Sequence, residues 1–170
     1  MKLAIGLGAS LGDRRLTLET AIRALAAKPG LAFVRVSRWY RTPPLRGGTA
    51  RNWFLNGVAL FETDLDPEEV LALCVELEAR AGRRRARHWG DRPLDLDLLL
   101  AEGVVRASGR LTLPHPGITR RPFVLVPLLD VWPDATDPVT GVPYASLPGP
   151  SGPRPVPVGV AARRPPLRFL

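Results

Sequence analysis

The spacing of apolar positions changes several times along the chain, and each change marks an element. Residues 2–7 form a nearly unbroken apolar run of strand length, which predicts a buried first strand. Gly8-Ala9-Ser10-Leu11-Gly12-Asp13 is the turn that delivers the chain to a helix beginning near Asp13. Leu18, Ile22 and Leu25 fall at i, i+4 and i+7, one stripe of that helix, and Pro29-Gly30 ends it. Residues 31–40, with Phe33, Val34 and Val36, carry the shorter period of a second strand. The segment Thr42-Pro43-Pro44-Leu45-Arg46-Gly47-Gly48 is excluded from helix and sheet by its prolines and paired glycines. Residues 53–61 read as a third strand. Asp66, Pro67 and Glu69 then give a capping-box start to a second helix whose stripe is Val70, Leu73 and Leu77.

After an arginine-rich connection over residues 83–93, a strand holds Asp95 and Asp97, Val104-Val105 and Leu111-Thr112-Leu113 suggest a short hairpin, and residues 122–129 a further helix. The order βαββαβ predicts an α/β (α+β) fold of the ferredoxin-like class, a mixed or antiparallel sheet with helices packed on it. One domain is expected over residues 1–135. Residues 136–170 are dominated by proline, glycine and small side chains. They read as a C-terminal extension, lying on the surface or partly disordered.

Composition narrows the partners. The formal charge of +8 comes almost wholly from arginine, since Lys2 and Lys28 are the only lysines, and it fits anionic ligands, polyphosphate or nucleic acid. A lone Cys74 within a helical apolar pattern excludes an intramolecular disulfide and a cysteine-based metal site. No secretory leader pattern and no membrane-length apolar span are present, so a cytoplasmic protein without membrane attachment is expected.

The candidate chemistry lies in Arg92-Pro93-Leu94-Asp95-Leu96-Asp97-Leu98-Leu99-Leu100. On a strand Asp95 and Asp97 project from one face while Leu94, Leu96 and Leu98 line the other, so two like charges are forced together. Cations relieve that repulsion. Hard oxygen ligands suit Mg²⁺, which keeps waters and completes its shell with substrate phosphates. Arg83, Arg84, Arg85, Arg87 and Arg92, just upstream, can neutralise such a polyphosphate.

An ordered series of motifs runs over residues 2–132: Gly8 with Leu11-Gly12-Asp13, Tyr40-Arg41-Thr42-Pro43-Pro44, Phe54-Leu55-Asn56, Glu78 with Gly82-Arg83-Arg84-Arg85, Trp89-Gly90-Asp91-Arg92-Pro93-Leu94-Asp95-Leu96-Asp97, Leu113-Pro114-His115-Pro116 and Arg121-Pro122-Phe123-Val124-Leu125. The series resembles the 6-hydroxymethyl-7,8-dihydropterin pyrophosphokinase family of folate biosynthesis. The resemblance implies transfer of pyrophosphate from ATP to the pterin hydroxymethyl group, with AMP leaving and two Mg²⁺ ions required. It implies metal binding by Asp95 and Asp97 and phosphate clamping by Arg83 and Arg92. Nucleotide contacts are implied for Glu78, Arg85, Trp89, Leu98, Arg110, Thr112, His115 and Arg121. The implied pterin pocket has Phe54 and Phe123 as an aromatic sandwich, Asn56 for paired amide bonds, and the backbone of Thr42, Pro43 and Leu45. ATP and the pterin are then the partners, with no nucleic acid, and a monomer is expected.

The chain departs from that family's pattern where Ala9-Ser10 replaces a polar Ser-Asn pair, where His88 stands in place of an arginine found in some relatives, and where Asp91 replaces a common proline. Two competing readings use the same residues. A basic ferredoxin-like module could bind RNA without catalysis, although aspartates on a strand face would repel phosphate unless metal intervenes. A metal-dependent phosphohydrolase would need a water-activating base, for which only Glu78 or His115 offers itself.

Overall fold

The computed structural model describes residues 1–44, 46–82 and 90–158. In chain order the elements are β1 (Lys2–Ala9), α1 (Arg14–Ala26), β2 (Leu31–Val36), β3 (Tyr40–Thr42), β4 (Phe54–Thr63), α2 (Pro67–Arg80), β5 (Asp95–Ala101), β6 (Arg106–Ala107), β7 (Thr112–Leu113), α3 (Gly117–Arg120), α4 (Pro122–Val131) and β8 (Val156–Pro157), with a 3₁₀ turn at Tyr144–Ser146. Six strands form one antiparallel sheet ordered β5-β1-β4-β3-β8, with β2 also pairing β4. A core order of β5-β1-β4-β2 with two crossover helices is the ferredoxin-like arrangement expected from the sequence.

Local chemistry sets the helix starts. The Asp13 carboxylate accepts the Leu16 N–H at 3.1 Å at the head of α1. At α2 the Asp66 and Glu69 side chains and backbones exchange bonds in a full capping box, with Pro67 in the first turn. Both helices pack on one face of the sheet, over Leu3, Ile5, Leu7, Leu55, Ala59, Phe61, Leu96 and Leu98. The opposite face carries a second, smaller cluster. There Ala4, Val58, Leu60, Leu99 and Leu100 meet Leu125, Leu128 and Val131 of α4.

The apolar run Leu98-Leu99-Leu100 is explained by a bulge. Ala4 pairs with Leu100 but Ile5 with Leu98, so Leu99 is extra and consecutive leucines turn to both faces. The expected second strand over residues 31–40 is instead two strands. Ser37 interrupts the ladder by accepting the Val58 N–H on its Oγ at 3.0 Å, and Trp39 packs over Gly57, where an added Cβ would lie 2.7 Å from the indole. The hairpin also sits later than Val104-Val105. Its paired residues are Arg106 with Leu113 and Ala107 with Thr112. The short α3 was not foreseen, and α4 runs two residues beyond 129.

After Val131 the chain returns to the body. Tyr144 is buried with Trp132 and Ala135 in the α4 cluster, and β8 pairs with the outer edge of β3, followed by a Val158 N–H to Trp39 carbonyl bond at 2.8 Å.

Candidate functional site

Helix α4 leaves part of its face of the sheet uncovered. Beneath it the strands present Ala4, Val58 and Leu60; beyond its N-terminus they present Gly6, Gly8, Asn56, Asp95 and Asp97, and the space above these is a cavity of about 230 Å³. Polar and small residues lie where no helix covers the sheet. Gly8 is dictated by close approach, since a Cβ there would lie 2.9 Å from Asn56 Oδ1 and 3.7 Å from the Asp95 Cβ.

One wall is flat, apolar and amide-bearing. Phe54 opens β4, Phe123 and Val124 stand in the first turn of α4, Thr42 closes β3 and Pro43 follows it. Asn56, 8% exposed, donates from Nδ2 to the Thr42 Oγ1 at 2.6 Å. That bond fixes the amide plane and leaves one N–H and Oδ1 for a ligand.

The other wall is ionic. Asp97 and Asp95 project from β5 opposite Gly6 and Gly8 of β1. Arg92 reaches Asp95 Oδ1 at 2.8 Å, and its backbone is tied to Ser10 in both directions, N–H to Oγ at 2.9 Å and carbonyl from the Ser10 N–H at 2.9 Å. Arg121 caps the cavity from the head of α4, beside Phe123. His115 Nδ1 accepts the Gly117 N–H at 2.9 Å. Burial and the Arg121 charge hold the imidazole below its ordinary pKa against the pull of Asp95. A neutral ring that accepts on Nδ1 carries its proton on Nε2, so His115 can offer a neutral N–H donor to an anion.

Ten of the residues to which the resemblance assigns a metal, phosphate or pterin contact therefore line one cavity: Thr42, Pro43, Phe54, Asn56, Arg92, Asp95, Asp97, His115, Arg121 and Phe123. Others stand apart. Glu78 is buried on the helical side, where Oε1 accepts the Leu96 N–H at 2.7 Å and braces the strand between the two aspartates. Leu98 is packed in the larger core cluster. Arg110 and Thr112 are exposed on the β6–β7 hairpin and are not among the residues lining the cavity. Leu45, Arg83, Arg85 and Trp89 lie outside the described residues. Sequence reasoning missed Gly6 and Leu99 in the lining; a glycine on alternate positions of a buried strand was the available signal for the first.

Asp95 and Asp97 face the cavity together, and no group of three or more His, Cys, Asp or Glu able to hold a metal occurs among the described residues. Two carboxylates are an incomplete shell for a hard cation. They fit Mg²⁺ that takes its remaining oxygens from water and a phosphorylated ligand.

Comparison with known proteins adds an independent line. The family model for 7,8-dihydro-6-hydroxymethylpterin-pyrophosphokinase matches residues 4–133. A 2-amino-4-hydroxy-6-hydroxymethyldihydropteridine pyrophosphokinase of Methylorubrum extorquens is 45% identical over 130 residues, 76% of this chain and 82% of the relative. A protein of the same name from Synechocystis is 39% identical, covering 81% and 69%. Among solved structures, wild-type HPPK-DHPS of Plasmodium falciparum superposes with a TM-score of 0.62 at 14% identity over 84% of this chain, which spans only 43% of that longer chain. The structural likeness bears on the fold.

Proposed function

Because the chain belongs to the 7,8-dihydro-6-hydroxymethylpterin-pyrophosphokinase family, we propose that its cavity transfers the terminal pyrophosphoryl unit of ATP to the hydroxymethyl group of 6-hydroxymethyl-7,8-dihydropterin, a step of folate biosynthesis. The hydroxymethyl oxygen attacks the β-phosphorus, the bond from that phosphorus to the α–β bridging oxygen breaks, AMP leaves, and the hydroxyl proton is released. The observation that carries this reading is the joining of two unlike walls: Phe54, Asn56 and Phe123 share one cavity with Arg92, Asp95, Asp97, His115 and Arg121.

Each wall suits one substrate. A planar heteroaromatic ring fits against Phe54 and Phe123 while the remaining N–H and Oδ1 of Asn56 meet its polar edge. Arg92, Arg121 and the His115 Nε2–H supply donors to phosphate oxygens in a partly desolvated cleft, where fixed donors act more strongly than in water. Asp95 and Asp97 would hold Mg²⁺, two ions in this reading, which when bound neutralise triphosphate charge and align the attacking and leaving oxygens. Arg92 touches Asp95 at 2.8 Å, so the same guanidinium would link the carboxylate proposed to bind metal to the phosphates. Arg83, Arg85, Trp89 and Leu45 join the proposal through the resemblance alone, with Glu78, Leu98, Arg110 and Thr112 as nucleotide-side candidates.

The proposal further takes residues 1–135 as the catalytic unit, a monomer acting in the cytoplasm. No helix among the described residues is long and apolar enough to cross a membrane. The deciding experiment measures AMP release from ATP and Mg²⁺ with and without the pterin, following pterin mass. AMP formed only with pterin, together with a pterin heavier by one pyrophosphate, is the expected result; AMP formed equally without pterin would refute transfer in favour of hydrolysis.

A further inference from the structure

Asp91 stands between Gly90 and Arg92, both of which line the cavity, but is not itself among the lining residues. Its carboxylate reaches across to the loop that leads into β4. Oδ2 accepts the Arg51 N–H at 3.1 Å and the Asn52 Nδ2–H at 3.0 Å, and Oδ1 accepts the Asn52 N–H at 3.1 Å. Two consecutive backbone N–H groups and a side-chain amide thus converge on one anion, a small nest that only a fixed negative acceptor fills well. Partial burial pushes the carboxyl up, and the bonds from Arg51, Asn52 and the Ser10 side chain outweigh it, so Asp91 sits below the usual carboxylate range.

What the contact joins gives it a use. Two residues beyond Asn52 is Phe54, and two more is Asn56, the flat wall of the cavity. On the other side, the residue next to Asp91 is Arg92, whose N–H and carbonyl are both tied to Ser10 and whose guanidinium holds Asp95. Asp91 and Arg92 therefore form a short platform pinned to Ser10, just past the end of β1, with one side chain on the loop that leads to the ring wall and the other on the ionic wall. The loop over residues 46–53 is otherwise short of regular structure, with Gly47 in the left-handed region and no strand until Phe54. We propose that Asp91 is a positioning residue that fixes the entry to β4 against the Arg92 platform, setting where the pterin ring lies relative to the phosphates. This inference rests on the function proposed above.

The test compares the full chain with Asp91→Ala and Asp91→Asn. Amide exchange at Arg51 and Asn52, measured without substrate, is expected to quicken roughly tenfold or more in Asp91→Ala as the anion leaves the nest. Pterin KM is expected to rise roughly tenfold, with KM for ATP and kcat at saturating pterin within about twofold, the pattern of lost ring positioning. Asp91→Asn keeps an acceptor for the Asn52 N–H but sets a donor against Arg51, so it should fall between. Unchanged exchange at Arg51 and Asn52, or equal rises in both KM values, would overturn the proposal. A wild-type chain that forms no pterin diphosphate would instead refute the proposed function, and the exchange comparison would still judge the clamp.

Discussion

Replacing Gly8 by alanine tests the cavity at its tightest point. The new Cβ would stand 2.9 Å from Asn56 Oδ1, closer than such contacts occur, with the Asp95 Cβ at 3.7 Å and Phe54 Cδ1 at 3.9 Å closing the other directions. The backbone gains about 0.5–1 kcal/mol from losing glycine's freedom. Against this, overpacking costs about 1–3 kcal/mol, and the amide that must yield is tethered by a buried bond worth about 1 kcal/mol. Relief comes from turning Asn56 away from Thr42, which is 2.6 Å away in the native site. The fold then loses no more than about 1–3 kcal/mol, while the ring loses two amide hydrogen bonds of about 0.5–1.5 kcal/mol each. Pterin affinity should fall roughly 5- to 150-fold at about 1.4 kcal/mol per decade. ATP affinity should change less, because the added methyl meets Asp95 only at an ordinary contact distance of 3.7 Å. Titration calorimetry with the pterin and a thermal melt check both. Unchanged pterin affinity with a normal melt would refute the idea that Asn56 reads the ring from this position.

Other outcomes follow from the same geometry. Asp97→Ala should abolish turnover with the melting temperature retained; near-normal activity would remove the metal-binding assignment. Glu78→Ala should destabilise the fold by about 1–3 kcal/mol because the Leu96 N–H loses its buried acceptor, whereas Glu78→Gln, which keeps an oxygen, should lose less; equal melts for the two would contradict the brace. At Asp130, burial pushes the carboxyl up, but the bonds from Arg38 and Tyr40 outweigh it and hold it below its ordinary value. A carboxyl depressed in the fold gives stability that is complete above its unfolded pKa of about 3.9 and is lost as pH falls through the folded value. Acid titration of stability should therefore be flatter below about pH 4 in Asp130→Asn than in the wild type.

The helix starts were legible because their signals are local. Asp66, Pro67 and Glu69 need only one another to define a capping box, and Asp13 needs only the next turn. The paired aspartates were legible for a similar reason, since alternation along a strand is a property of neighbours. Ser37 and Trp39 were not, because the break they impose depends on Val58 and Gly57, about twenty residues away, and periodicity carries no trace of that partner. Glu78 shows the same limit from the other side. Its place in the motif series pointed to the nucleotide, while its buried bond to Leu96 exists only once α2 has packed beneath β5. The Asp91 contact spans about forty residues and was visible only as an unusual residue at its position.

The two-residue strand β8 has a consequence for the protein in concentrated solution. An open sheet edge invites a neighbouring molecule to add a strand, and β3 alone would present such an edge. Val156 and Pro157 occupy it, with Pro155 buried just before them. Proline has no N–H to give, so the new edge offers little for another chain to join. The proline-rich segment thus ends the sheet, and a chain shortened before Val156 should lose solubility before it loses its pocket.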